Sequence, residues 1–216
     1  MRLCDKTKRI LLAIGILVFG LSLASYSHSG IVGSAHDFTE TGKWTQWNPF
    51  HENEICIFCH TPHASLPDAP LWNHQITSTV FTLYSSSTLH ATISQPSGVS
   101  KLCLSCHDGT LAVNAYNGSN PADDGRTASF IPGVSGDLMN DHPVSFTYDS
   151  ALAIEDGALH DPAIVSSGNG GTISSDLLVD GILECSSCHD VHNKYSGNTW
   201  LLKRPRNQLC LTCHNP

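Results

Sequence analysis

The chain has 216 residues, with 9 cysteines, 13 histidines, only 2 methionines, 40% apolar and 14% charged residues, and a formal charge of −8. That apolar fraction excludes a disordered chain, and the length corresponds to one or two domains. With 11 Lys+Arg against 19 Asp+Glu, no nucleic-acid partner is expected, because neutralising phosphates requires clustered basic residues.

The N-terminus is basic at Arg2, Lys6, Lys8 and Arg9, apolar over the 14 residues from Ile10 to Leu23, then small and polar. This is the pattern of a secretory signal peptide over residues 1–27, cleaved near Ser27. The apolar run is shorter than the roughly 20 residues that cross a bilayer. The reading predicts a secreted protein, extracellular or on the cell surface, with the periplasm as the alternative. Cys4 leaves with the signal, so the mature chain, residues 28–216, keeps eight cysteines. Oxidising compartments permit disulfides, and the bacterial periplasm is also where c-type haem is attached.

All eight fall into four pairs, each followed at once by histidine: Cys56-Ile57-Phe58-Cys59-His60, Cys103-Leu104-Ser105-Cys106-His107, Cys185-Ser186-Ser187-Cys188-His189 and Cys210-Leu211-Thr212-Cys213-His214. Each string is the haem c attachment signature, in which two thiols become thioethers to one porphyrin and the adjacent imidazole is the proximal iron ligand. Four disulfides would explain the even cysteine number but not the four histidines. Two Cys4 zinc sites would leave those histidines idle, and iron–sulfur ligation favours other spacings.

The sixth iron position distinguishes His/Met from bis-histidine ligation. Met139 is the only methionine after the signal, whereas nine histidines lie outside the motifs: His28, His36, His51, His63, His74, His90, His142, His160 and His192. Four covalently bound, bis-histidine haem c groups are therefore expected. His63 and His192 each lie three residues beyond a motif histidine, on the same face if the motif is helical. They cannot bind the same iron from its opposite side, so each is expected to cap a neighbouring haem. His142 precedes Pro143, which favours an extended approach. His36 sits in a small-residue stretch that could reach away from its own core. His51, His74, His90 and His160 are assigned to surface or hydrogen-bonding roles.

The motifs repeat in order. A CxxCHxxH string at Cys56 and a CxxCH string at Cys103 form a two-haem module over about 50–110; the strings at Cys185 and Cys210 form a second over about 183–216. The first cysteines are 47 residues apart in one module and 25 in the other, so the first carries an insertion. The spacer, 111–182, is rich in Gly, Ser, Asn and Asp and reads as loops and turns with short strands such as Val144 to Tyr148. The fold class expected is a multihaem cytochrome c: mostly loops, short helices at the motifs, few short strands, and haems forming the core. Trp72, Trp200, Phe81 and Tyr84 are candidates to pack on haem faces.

With these motifs placed, the chain resembles the secreted multihaem cytochromes with doubled CxxCH motifs of metal-respiring bacteria, and most closely the OmcE-type tetrahaem cytochromes that polymerise into extracellular filaments. The matching stretches are residues 34–38, 55–63, 70–73, 101–109, 140–146, 185–192 and 209–214. The resemblance implies distal ligation by His63, His142 and His192, and by a His36 lent to the adjacent protomer. It also implies a homopolymer, redox partner cytochromes and external acceptors such as metal oxides. Insertions and the extra His74 depart from the pattern and offer substitutes for His36.

The function expected is electron transfer rather than catalysis, in its sharper form as a subunit of a conductive extracellular filament. A soluble periplasmic shuttle is the alternative. A multihaem reductase is disfavoured, because it requires an open iron site while spare histidines outnumber the motifs.

Overall fold

A computed structural model describes residues 30–39, 53–63, 65, 71–116, 132–194 and 200–215. The expected signal peptide, His28 and His51 lie outside these residues. Among the described residues no helix is long and apolar enough to cross a membrane. Regular structure is sparse: helices α1 (Gly98–His107), α2 (Ser150–Asp156), α3 (Ile173–Asp176), α4 (Cys185–Cys188) and α5 (Arg206–Cys213), a 3₁₀ turn at Val134–Gly136, and two short strands. Most of the described chain is loop, as the composition predicts.

The strands β1 (Phe146–Thr147) and β2 (Ile182–Leu183) pair antiparallel, with Phe146 opposite Leu183 and Thr147 opposite Ile182. The expected strand from Val144 to Tyr148 is thus cut to two residues. Ser145, at φ +60°, interrupts the extended backbone just before it.

The spacer is more ordered than its composition suggested. Asp149 caps α2 by accepting a hydrogen bond from the Leu152 N–H at 2.9 Å, and Gly157, at φ +74°, ends it in the left-handed conformation that suits glycine. Thr172 and Ser175 cap α3 reciprocally. Between them these elements gather an apolar cluster of Phe146, Tyr148, Leu152, Ala153, Ile173, Leu177 and Leu183. Full burial of one such aliphatic side chain stabilises by about 2–3 kcal/mol. The stretch read as loops and turns therefore builds a polypeptide core of its own, because apolar residues at helical and strand spacing are interleaved with its glycines and serines. A second cluster joins Leu104 of α1 to Phe81 and Leu138. Phe81, a candidate for a haem face, packs there, while Trp200 is largely exposed.

Candidate functional site

Each motif occupies about one helical turn, which carries the histidine back over the first cysteine. The N–H groups of His60, His189 and His214 donate to the carbonyls of Cys56, Cys185 and Cys210 at 2.8, 3.1 and 2.9 Å. The second motif closes α1. A five-residue string can enforce this geometry because the bond spans only four residues.

A second device, invisible in the motifs, fixes three of these histidines from the opposite edge. Antiparallel bridges pair His60 with Trp72, His189 with Leu202 and Leu159 with His214. Around His60, the Thr61 N–H donates to Leu71 O and the Asn73 N–H to Cys59 O. The same pattern recurs at His189, from Asp190 to Leu201 O and from Lys203 to Cys188 O, and at His214, where Asn215 donates to Ala158 O and His160 to Cys213 O. Leu71 and Leu201 occupy corresponding places and both have positive φ, +59° and +54°, an uncommon conformation for leucine. The internal repeat thus extends beyond the cysteines to their flanking straps.

Outside the motifs, His36, His142 and His192 each come to lie beside a motif histidine. Ring centroids are 6.0 Å apart for His36 and His107, 6.4 Å for His60 and His192, and 6.2 Å for His142 and His214. An imidazole nitrogen lies about 1.2 Å from its ring centre and binds a first-row metal at about 2.0 Å, so two imidazoles trans on one ion have centroids about 6.4 Å apart. All three separations fall near that value. The His60–His192 pair crosses from the first module to the second. His63 lies at the surface, its carbonyl accepting from Thr61 Oγ1 at 2.8 Å.

His36 is held within its own chain. Phe38 packs edge-on to Phe58, and the carbonyl of Gly30 accepts from Asn193 Nδ2 at 3.1 Å. Burial first, then the nearby His107, His189 and His192, lowers the pKa of His36 to about 4, which keeps the imidazole neutral, the form that binds metals. Among the described residues its buried Nδ1 has no hydrogen-bond partner, a costly state that metal ligation by that nitrogen would relieve. His189 Nδ1 lies 2.9 Å from Trp200 O, and His142 Nδ1 2.8 Å from Pro143 O. An Nδ1–H donated to a carbonyl leaves Nε2 as the free lone pair, the usual arrangement behind a metal-bound histidine.

The eight described cysteines are free. Burial raises Cys59 and Cys213 to about 11 and pushes Cys106 and Cys188 upward. Uncharged sulfur in a desolvated setting suits a thioether, which carries no charge to desolvate. The neighbouring Cys103 and Cys185 side chains act on one another, which raises Cys103 and lowers Cys185. The donor set and its spacing therefore fit haem c: two thiols for attachment, one imidazole beneath, and for three motifs a second imidazole at the right separation.

The remaining histidines divide clearly. His74 is buried, not on the surface: its Nδ1 lies 2.8 Å from Gln75 O and its Nε2 2.9 Å from Ala112 O. Each ring nitrogen faces a carbonyl, and Nε2 also lies 3.4 Å from Cys106 Sγ, a setting that suits a hydrogen-bonding role. His90 faces Glu155 at 3.8 Å. Met139 is exposed.

Sequence reasoning passed over a further signal, the dipeptide His-Asp. Asp37, Asp108, Asp161 and Asp190 each accept from the N–H two residues on, that of Thr39, Thr110, Ala163 and His192. These are Asx turns, and each directly follows a histidine whose direction it helps to set. At Asp37, burial is outweighed by hydrogen bonds from the Gly33 N–H and from Thr39, and the carboxyl is held below its ordinary range.

Residues 179–216 match the family model described as Doubled CXXCH motif. No curated protein matches the chain. The stretch so matched contains α4, the strap around Leu201 and α5. The chain therefore carries the paired haem-attachment motif of a multihaem c-type cytochrome.

Proposed function

We propose that the protein is a tetrahaem electron carrier in which four haem c groups are attached through Cys56/Cys59, Cys103/Cys106, Cys185/Cys188 and Cys210/Cys213, with His60, His107, His189 and His214 as proximal ligands. His192, His36 and His142 supply the second imidazole to the haems of His60, His107 and His214, and His63 supplies it to that of His189. The observation that carries this reading is the set of three imidazole pairs at 6.0, 6.4 and 6.2 Å. The assignment of His63 follows from reciprocity. His192 of the second CxxCHxxH string faces His60 of the first, so His63 of the first is the counterpart for His189 of the second.

Haem iron, when bound, supplies reversible one-electron chemistry at low potential under two histidine ligands. The polypeptide fixes ligand identity and the spacing of the sites: the straps orient the proximal imidazoles, and burial keeps His36 neutral. If His63 serves the haem of His189 as the other three serve theirs, the chain's own imidazoles would leave no iron open for a substrate, which favours carriage over catalysis. Intact mass and a pyridine haemochrome spectrum of protein from a maturation-competent host test the reading. Four added haems are expected; bare polypeptide would refute it.

The resemblance to filament-forming tetrahaem cytochromes supports a finer proposal, an exported subunit of a conductive extracellular polymer delivering electrons to partner cytochromes and metal oxides. The position of His36 beside His107 of its own chain favours a second reading, a periplasmic shuttle that completes its haem sites without a neighbour. Electron microscopy of secreted material separates them: filaments support the first, and monodisperse monomers at high concentration support the second.

A further inference from the structure

Glu184 immediately precedes Cys185 and is 4% exposed. Its Oε2 accepts from the Ser100 N–H at 3.0 Å, from the Ser100 hydroxyl, and from Ser145 Oγ at 3.1 Å. Ser100 Oγ in turn accepts from the Cys185 N–H at 2.9 Å, so its own proton is committed to the glutamate. Three donors converging on one oxygen are what a carboxylate ion uses. Ser100 lies three residues before Cys103 in α1, and the Cys103 and Cys185 side chains are neighbours. Two details show that the surroundings are shaped to this carboxylate. Ser145 is held at φ +60°, a strained state that persists where neighbouring structure requires it. Gly98 opens α1 at φ +48°, where a Cβ would lie 3.0 Å from Glu184 Oε1.

We propose that Glu184 is a positioning residue of the electron-transfer route: a buried carboxylate that clamps the attachment segment of the second haem to that of the third, and whose charge lowers the reduction potential of both. The inference rests on the haem reading given above. A fixed negative charge beside a haem stabilises the ferric state, and hydrogen bonding, burial and nearby charge are the means by which a protein tunes a haem. The placement at Cys103 and Cys185 joins the two modules at one of the points where they meet.

The test is a spectroelectrochemical titration of the holoprotein and of Glu184→Gln, whose amide carbonyl can still accept the Ser100 and Ser145 donors. Two of the four one-electron steps are expected to move to higher potential. At a fixed applied potential their reduced-to-oxidised ratio should rise about tenfold, or 59 mV for a one-electron couple, while the other two stay in place. Glu184→Asp, which keeps the charge, should restore the wild-type steps. Four steps superimposable on wild type, or four moved equally, would overturn the proposal while leaving the haem count intact; absence of haem from the wild-type protein would instead defeat the underlying reading. If Glu184→Gln fails to mature, redox-difference infrared spectroscopy of wild-type protein carrying ¹³C-glutamate decides. An ionised-carboxylate band that responds during two of the four steps supports the proposal, and no glutamate response sinks it.

Discussion

Replacing His142 by alanine isolates one proposed ligand from the fold. The side chain is exposed, and its Nδ1 lies 2.8 Å from the carbonyl of Pro143. Truncating such a surface group changes stability by about 0.5 kcal/mol or less, so the variant should fold. Attachment through Cys210 and Cys213 does not involve His142, so intact mass should still show four haems. The imidazole 6.2 Å from His214 is gone, however, and the iron at His214 loses its sixth ligand. With four equivalent motifs in the chain, about a quarter of the low-spin signal should convert to high spin, and the same quarter of the ferrous haem should bind carbon monoxide. Visible and near-infrared magnetic circular dichroism, followed by carbon monoxide titration, measure both fractions. A fully low-spin variant that binds no carbon monoxide would refute the use of ring separation as the guide to ligation.

His74→Ala should show the opposite behaviour: an unchanged low-spin spectrum, but a loss of about 2 kcal/mol in denaturant unfolding as a buried carbonyl loses its imidazole N–H donor. A high-spin fraction would make it a ligand after all. Ile173, fully buried among Phe146, Leu177 and Leu183, should cost about 3–4 kcal/mol when cut to alanine, with haem content unaffected. A cost under 1 kcal/mol would mean that the spacer core contributes little. Asp149→Ala removes the cap of α2 and should cost about 1 kcal/mol, seen as a lower denaturant midpoint.

Asp176 gives a prediction for pH. The Ser167 hydroxyl, then against burial the Gly171 N–H, holds its pKa below the ordinary carboxylate value. Its stabilising contribution is therefore present above the unfolded value near 3.9 and is lost as pH falls through the lower folded value. Asp176→Asn should lose less stability than wild type between about pH 5 and pH 2, and equal losses would contradict the assignment.

The sequence by itself determined the four attachment strings, the paucity of methionine and the supply of spare histidines, because attachment chemistry is local. One helical turn sets two thiols and an imidazole, and five residues suffice to write it. The repeated order of the strings was legible for the same reason. Which histidine faces which motif was decided only by tertiary structure: His36, His192 and His142 lie 71, 132 and 72 residues from His107, His60 and His214. No local pattern spans such distances. The straps at Leu71, Leu159 and Leu201, the apolar cluster around Ile173 and the buried Glu184 were likewise unreadable beforehand. Each depends on backbone or side-chain hydrogen bonds and packing between segments remote in sequence, where the chain's path, and not its composition, brings the groups together.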